Sequence, residues 1–174
     1  GAIIASSQIK IDIKDTFTTH YNKLKVNASD LIIKTLPIIF KNDFISIIQD
    51  ENLVTYSKKL TSDDEFILFN SDVKKVYNKM RSLIEKPGCY AFLNDVKIKF
   101  YDIFYEEYNN VNIPGKIIID SKDYFKISCN NGYILVYEFQ IEGRKRISFN
   151  EYINGNKLLI QNNLVFNSGS EEKW

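Results

Sequence analysis

The spacing of apolar positions changes several times along the chain, and each change marks an element. Ala2-Ile3-Ile4-Ala5, followed by alternating Ile9, Ile11 and Ile13, reads as a strand at or near the edge of a sheet. The period then lengthens to that of a helix. Asp15 is a candidate N-cap for a helix with Phe17, Tyr21 and Leu24 on one face. A second helical stretch carries Ala28, Leu31, Ile32, Leu36 and Ile39, and Pro37 is expected to kink it or mark its end. Residues 43–70 keep no sustained period and include the polar run Thr61-Ser62-Asp63-Asp64-Glu65, the pattern of an extended linker. Ser71 is a candidate cap for a further helix that buries Val73, Val76, Tyr77, Met80, Leu83 and Ile84 and stops at Pro87-Gly88.

From there the pattern turns to strands. Cys89 to Leu93 and Val96 to Tyr105 flank Asn94-Asp95 as a hairpin, Pro114-Gly115 introduces a strand from Lys116 to Asp120, and Tyr124 to Cys129 and Tyr133 to Ile141 flank Asn130-Asn131-Gly132. Asn-Gly between two β-rich runs signals a type I′ turn, whose central residues need positive φ. Five or so short strands at this spacing predict a small OB-like open β-barrel preceded by a helix. Ser148 and Glu151 form a capping box for a helix of one or two turns that Gly155 closes, and the tail, residues 168–174, reads as frayed.

Length and composition allow one domain and part of another: 174 residues, 44% of them hydrophobic. No apolar run approaches the roughly 20 residues of a membrane span, and no signal peptide is evident, so the expected setting is the cytoplasm, with no membrane. Cys89 and Cys129 lie far apart in apolar runs, and a single histidine is present, so both read as buried thiols and no metal is expected.

Isoleucine, asparagine and lysine make up 64 of the 174 residues, a bias that an AT-rich genome alone produces, so lysine number says little. With 23 basic against 22 acidic side chains, any polyanion-binding surface must come from local segregation of charge. Arginine is more telling: there are three, and two of them fall in Gly143-Arg144-Lys145-Arg146. Guanidinium forks suit phosphate oxygens, so Arg144, Lys145 and Arg146 are candidates for a phosphate contact, with Lys58, Lys59 and Lys86 extending the track. Tyr124, Phe125, Tyr137 and Phe139 alternate with apolar neighbours and read as core or half-buried sheet positions. The adjacent carboxylates of Glu106-Glu107 and Asp63-Asp64 read as solvated charge.

Three stretches, in order, resemble the C-terminal half of the methionyl-tRNA formyltransferase family. The first is Asp15-Thr16 through Leu24 with Thr35-Leu36-Pro37. The second, and most specific, is Gln49-Asp50-Glu51 with Thr55-Tyr56-Ser57-Lys58-Lys59-Leu60 and Asp64. The third is Gly132 through Arg146-Ile147-Ser148, where the family has a Gly-Lys-Lys-x-Met-Ser-like segment before a short helix. The chain departs from the pattern at Glu85-Lys86-Pro87-Gly88, where the family commonly carries Asn-Pro-Trp-Pro-Gly, and at Phe69, where tryptophan is usual.

The resemblance implies an α+β chain: the last strand and helices of an incomplete α/β, Rossmann-like formyltransferase domain (1–42), a linker (43–70) and the OB-like barrel (71–167). It implies transfer of a formyl group from 10-formyltetrahydrofolate to initiator Met-tRNA, the barrel positioning the tRNA, and a monomer. The family's Asn-x-His and Asp-x-Gly catalytic elements are expected upstream of Gly1, which leaves no catalytic residue here. His20, preceded by Thr18-Thr19, reads as structural. The competing readings are a free-standing RNA- or tRNA-binding OB-like module, and a 10-formyltetrahydrofolate-dependent formyltransferase with another acceptor.

Overall fold

The computed structural model describes residues 1–109, 113–155 and 159–167. The chain divides into two compact units, Gly1–Lys59 and Leu60–Trp174. The tail expected to fray, 168–174, lies outside the described residues.

In the first unit a single 24-residue helix, α1 (Phe17–Phe40), replaces the two helical stretches expected. Its cap is Thr16, one position after the candidate Asp15. The Thr19 amide donates to the Thr16 hydroxyl at 3.3 Å, and the Thr16 amide donates to the Thr19 hydroxyl at 2.9 Å. Pro37 lies inside α1 without ending it, because only one amide donor is lost and the helix closes within the next turn at Lys41. The strand expected through Ile9, Ile11 and Ile13 does not form. Residues 1–16 make one antiparallel bridge, Ile3 with Ile47, and Ile11 and Ile13 are exposed. Alternation specifies a strand only where a neighbouring backbone completes the ladder, and among the described residues no strand or bridge includes Ile9–Ile13.

The second unit is a curled antiparallel sheet with helices against it. Its strands are β1 (Cys89–Leu93), β2 (Val96–Glu107), β3 (Ile117–Ile118), β4 (Phe125–Cys129), β5 (Gly132–Ile141) and β6 (Ile147–Ser148), in the order β1-β2-β5-β4-β3 with β6 also on β5. The predicted strand at Lys116 to Asp120 shortens to two residues. The register of β2 on β5 shifts on both sides of Asp102, and such irregularities bend paired strands and increase their twist. The first hairpin is as expected: Asn94 and Asp95 take φ of 49° and 63°.

The second hairpin is not a type I′ turn, since Asn130, Asn131 and Gly132 all avoid positive φ. Asn131 instead accepts the Val73 amide at 2.8 Å and donates to Asp72 at 2.7 Å, tying the turn to the next helix. Gly132 is required for space: a Cβ there would lie 2.2 Å from the Glu106 carbonyl oxygen.

Helix α3 (Val73–Leu83) follows the short α2 (Ser62–Glu65) and is capped by Asp72, not Ser71, with the Lys74 and Lys75 amides donating to its carboxylate. It buries Val73, Val76, Tyr77, Met80 and Leu83, and Tyr77 meets Phe104 and Tyr105 of β2. Helix α4 (Phe149–Ile153) has the predicted capping box, Ser148 with Glu151. Phe149 packs on Phe125, and Tyr152 on Phe139. Ile67 and Phe69, from the segment read as linker, are buried, and Phe69 fills an aromatic site between Phe100 and Phe166. Each such buried side chain contributes roughly 1.5–3 kcal/mol. Phe125 and Phe139 are core, while Tyr124 and Tyr137 are half-buried, as alternation predicts.

Candidate nucleic-acid surface

The Arg-Lys-Arg segment is the tip of a hairpin between β5 and β6, whereas the sequence suggested a loop leading directly into a helix. Glu142 donates its amide to the Lys97 carbonyl at 2.9 Å, Gly143 turns the chain at φ 73°, and the Arg144 amide closes on the Ile141 carbonyl at 2.9 Å. Space around Gly143 is open, so its positive φ is what calls for glycine. Gln140 braces the tip: its amide donates to the Arg144 carbonyl at 2.7 Å, and its carbonyl accepts the Tyr101 hydroxyl at 2.8 Å.

The three cations of the tip differ. Arg144 and Lys145 are exposed, and neither has an ion-pair partner among the described residues. Arg146 forms an ion pair with Glu138 and lies 4.3 Å over the Tyr101 ring. The hydrogen bond to Glu138 raises its pKa above the ordinary arginine value. Its charge is therefore compensated within the protein, while Arg144 and Lys145 project theirs into solvent. Lys86 is exposed just beyond α3, and Lys58 and Lys59 are exposed residues of the first unit. The geometry thus joins Arg144, Lys145 and Arg146 in one hairpin and leaves the linker lysines in a separately described body. Sequence reasoning missed Glu138, Gln140 and Tyr101. The alternation of polar residues at 138 and 140 on one face of β5, next to a cationic tip, was the available signal.

Other ionisable groups serve structure. Asp15, 6% exposed, accepts both the Asp12 amide and the Lys23 ammonium at 2.8 Å, and Lys23 is the main reason its pKa falls to about 2. His20 Nδ1 stands 3.8 Å from Asp15, beyond hydrogen-bond length. Burial pushes the Cys89 and Cys129 thiols up to about 12, the state of inert thiols. Glu106 and Glu107 are exposed and paired with Lys126 and Lys74. Among the described residues, no three His, Cys, Asp or Glu are placed to hold a metal ion, and no helix is long and apolar enough to cross a membrane.

A groove of about 420 Å³ in the first unit is lined by apolar residues, among them Ile3, Ile4, Leu31 and Leu36. Its one side-chain polar group, the Thr35 hydroxyl, is spent on the Leu31 carbonyl at 2.7 Å. A folate needs several hydrogen-bonding partners for its pterin ring, so these residues do not fit that cofactor.

Residues 59–157 match the family described as formyl transferase, C-terminal domain. The methionyl-tRNA formyltransferase of Malacoplasma penetrans is 33% identical over 156 residues, covering 90% of this chain and 49% of that protein. The methionyl-tRNA formyltransferase of Staphylococcus aureus (strain Newman) is 33% identical over 166 residues, covering 95% of this chain and 52% of that protein. The chain therefore spans about half the length of the curated relatives it matches. Among solved structures, HypX from Aquifex aeolicus superposes with a TM-score of 0.62 at 15% identity, over 87% of this chain and 28% of that one. WlaRD, a sugar 3N-formyl transferase solved in the presence of dTDP and 5-N-formyl-THF, gives 0.57 at 24%, over 83% and 51%. At these identities the structural likeness shows the fold.

Proposed function

This chain belongs to the formyl transferase family through its C-terminal domain, and on that premise we propose that it is the tRNA-holding half of a methionyl-tRNA formyltransferase. The complete enzyme moves a formyl group from 10-formyltetrahydrofolate to the amino group of initiator Met-tRNA. The observation that carries the reading is the hairpin tip that displays Arg144 and Lys145 without carboxylate partners among the described residues. A tRNA arm is a polyanion whose phosphates are held by Lys and Arg with no reading of bases. In this reading the curled sheet acts as an OB-type barrel, Lys58, Lys59 and Lys86 extend the phosphate track, and Arg146 holds the tip in place through Glu138 and Tyr101. The uncovered apolar positions of α1 support assigning residues 1–42 to an α/β formyltransferase domain.

The sequence holds no Asn-x-His triplet, and the apolar groove does not fit a folate. In this reading the reacting groups and the folate pocket lie in residues outside these 174, and the chain assayed alone is expected to show no formylating activity. The test is titration of the chain with initiator tRNA over a series of salt concentrations. The expected result is an affinity that falls linearly with salt on logarithmic axes and drops about tenfold in Arg144→Ala/Lys145→Ala. Failure of the chain to bind tRNA, or binding indifferent to both salt and these substitutions, overturns the reading. The relatives named methionyl-tRNA formyltransferase favour this acceptor over an amino sugar.

A further inference from the structure

A second one-sided distribution of charge in the second unit lies on α3, outside the tip. Within Val73–Leu83 the charged residues are Lys74, Lys75, Lys79 and Arg81, and there is no carboxylate. Two of these cations sit in the first turn, where the helix dipole disfavours positive charge. Lys75 and Lys79, four residues apart, are like charges one turn from each other, another unfavourable arrangement. Both are exposed, as are Ser82 and Lys86 further along.

The compensation found elsewhere is largely absent here. Lys74 is paired with Glu107 at 2.8 Å, but Lys75 and Lys86 have no ion-pair partner among the described residues, and Lys79 donates to an uncharged group, the Phe66 carbonyl, at 2.7 Å. The Asp72 cap and Glu107 answer the charge at the first turn only in part, and the like charges of Lys75 and Lys79 that remain on the solvent face suit an external anion. The far end of α3 also leads toward the tip: Glu85, beside Lys86, interacts electrostatically with Arg146. The end of the helix and the cationic hairpin thus lie within electrostatic reach of each other in the second unit.

We propose that the solvent face of α3, through Lys75 and Lys79 and with Lys86 just beyond the helix, is a second phosphate-binding surface that carries the tRNA backbone on from the Arg144–Lys145 tip. The proposal rests on the function argued above and adds Lys75 and Lys79, which neither the cationic tetrapeptide nor the candidate lysines Lys58, Lys59 and Lys86 indicate. Lys75 and Lys79, about one 5.4 Å helical turn apart, reach neighbouring points along a nucleic-acid strand.

The experiment compares four forms of the whole chain against initiator tRNA over a salt series: the unaltered chain, Lys75→Gln/Lys79→Gln, Arg144→Ala/Lys145→Ala, and a control pair, Lys10→Gln/Lys122→Gln. Glutamine is a good helix former and the substituted side chains are exposed, and circular dichroism verifies that each variant is folded. The α3 variant is expected to bind about tenfold more weakly, with a slope of log affinity against log salt reduced by about two, one for each lost phosphate contact. An α3 variant that binds like the unaltered chain while the tip variant is weakened overturns the second surface and leaves the tip standing. A weakened α3 variant beside an unaffected tip variant supports the second surface and removes the tip from the interface. Equal weakening by the control pair reduces the effect to net charge and overturns the α3 assignment, and absence of tRNA binding overturns both.

Discussion

Helices α1 and α3 advertise themselves in the same way, with apolar residues returning every three or four positions, yet they differ in what they bury. Over 24 residues α1 buries none, whereas α3 buries five of 11. The difference lies in what each meets. β2 and the β4–β5 turn receive α3, with Tyr77 against Phe104 and Tyr105 and the Val73 amide on Asn131. The first unit offers α1 no sheet among its described residues, only the bridge between Ile3 and Ile47. Periodicity therefore announces a helix, but the stabilisation comes from the surface the stripe covers.

The sharpest way to break this contrast is to truncate one apolar residue in each helix. Met80 of α3 is fully buried, and Met80→Ala removes its packing and leaves a cavity, so the second unit should lose about 2–5 kcal/mol of stability in urea unfolding followed by circular dichroism. Ile32 of α1 is 55% exposed, and Ile32→Ala should shift stability by no more than about 0.5 kcal/mol. Equal losses at the two positions would show that α1 is covered in solution and remove the distinction.

A somewhat smaller effect tests what receives α3. Gly132→Ala places a methyl group 2.2 Å from the Glu106 carbonyl oxygen and 2.9 Å from Val73, so either the β2–β5 ladder or the N-terminal end of α3 must shift. Overpacking of this kind costs roughly 1–3 kcal/mol. Hydrogen exchange should locate the damage, with the amides of Glu106 to Tyr108 and Val73 losing protection. A variant as stable and as protected as the unaltered chain would mean that the close approach is absent in solution.

These residues also show where sequence reading succeeds and where it stops. The β1–β2 hairpin, the buried stripe of α3 and the Ser148–Glu151 box depend on neighbours within a few positions, so they were legible. Ile9 to Ile13 has the alternation of a strand but joins no ladder among the described residues, because a ladder depends on a second backbone that no local pattern reports. Asn-Gly, a strong local signal, marks Gly132 as a turn glycine, while its actual constraint comes from Glu106, 26 residues earlier. Of the candidate site, the exposed Arg144–Lys145 tip was legible from composition. The pairing of Arg146 with Glu138 was not, because it depends on β6 folding back on β5.

The smallest effect concerns what holds the start of α1 in the absence of a packed face. Asp15 links the turn at Asp12 to Lys23 two helical turns away, and its carboxyl stands at about 2 against an ordinary 3.8. A carboxyl depressed in the folded state binds its proton more weakly there than when unfolded. Its contribution is therefore complete above about pH 4 and is lost as pH falls through 2. Lys23 mirrors this at the alkaline end: its pKa is raised by Asp12 and Asp15, so its contribution is present below 10.5 and disappears as pH rises through the folded value. Helicity of the chain should then decline between pH 4 and 2, whereas Asp15→Asn, already less helical at neutral pH, should show a flatter acid limb. Exposure of Lys23 at 40% keeps the effect modest and makes it shrink with added salt. Identical acid profiles for the two chains would remove the ion pair from the account and leave the Thr16–Thr19 box as the main local hold on α1.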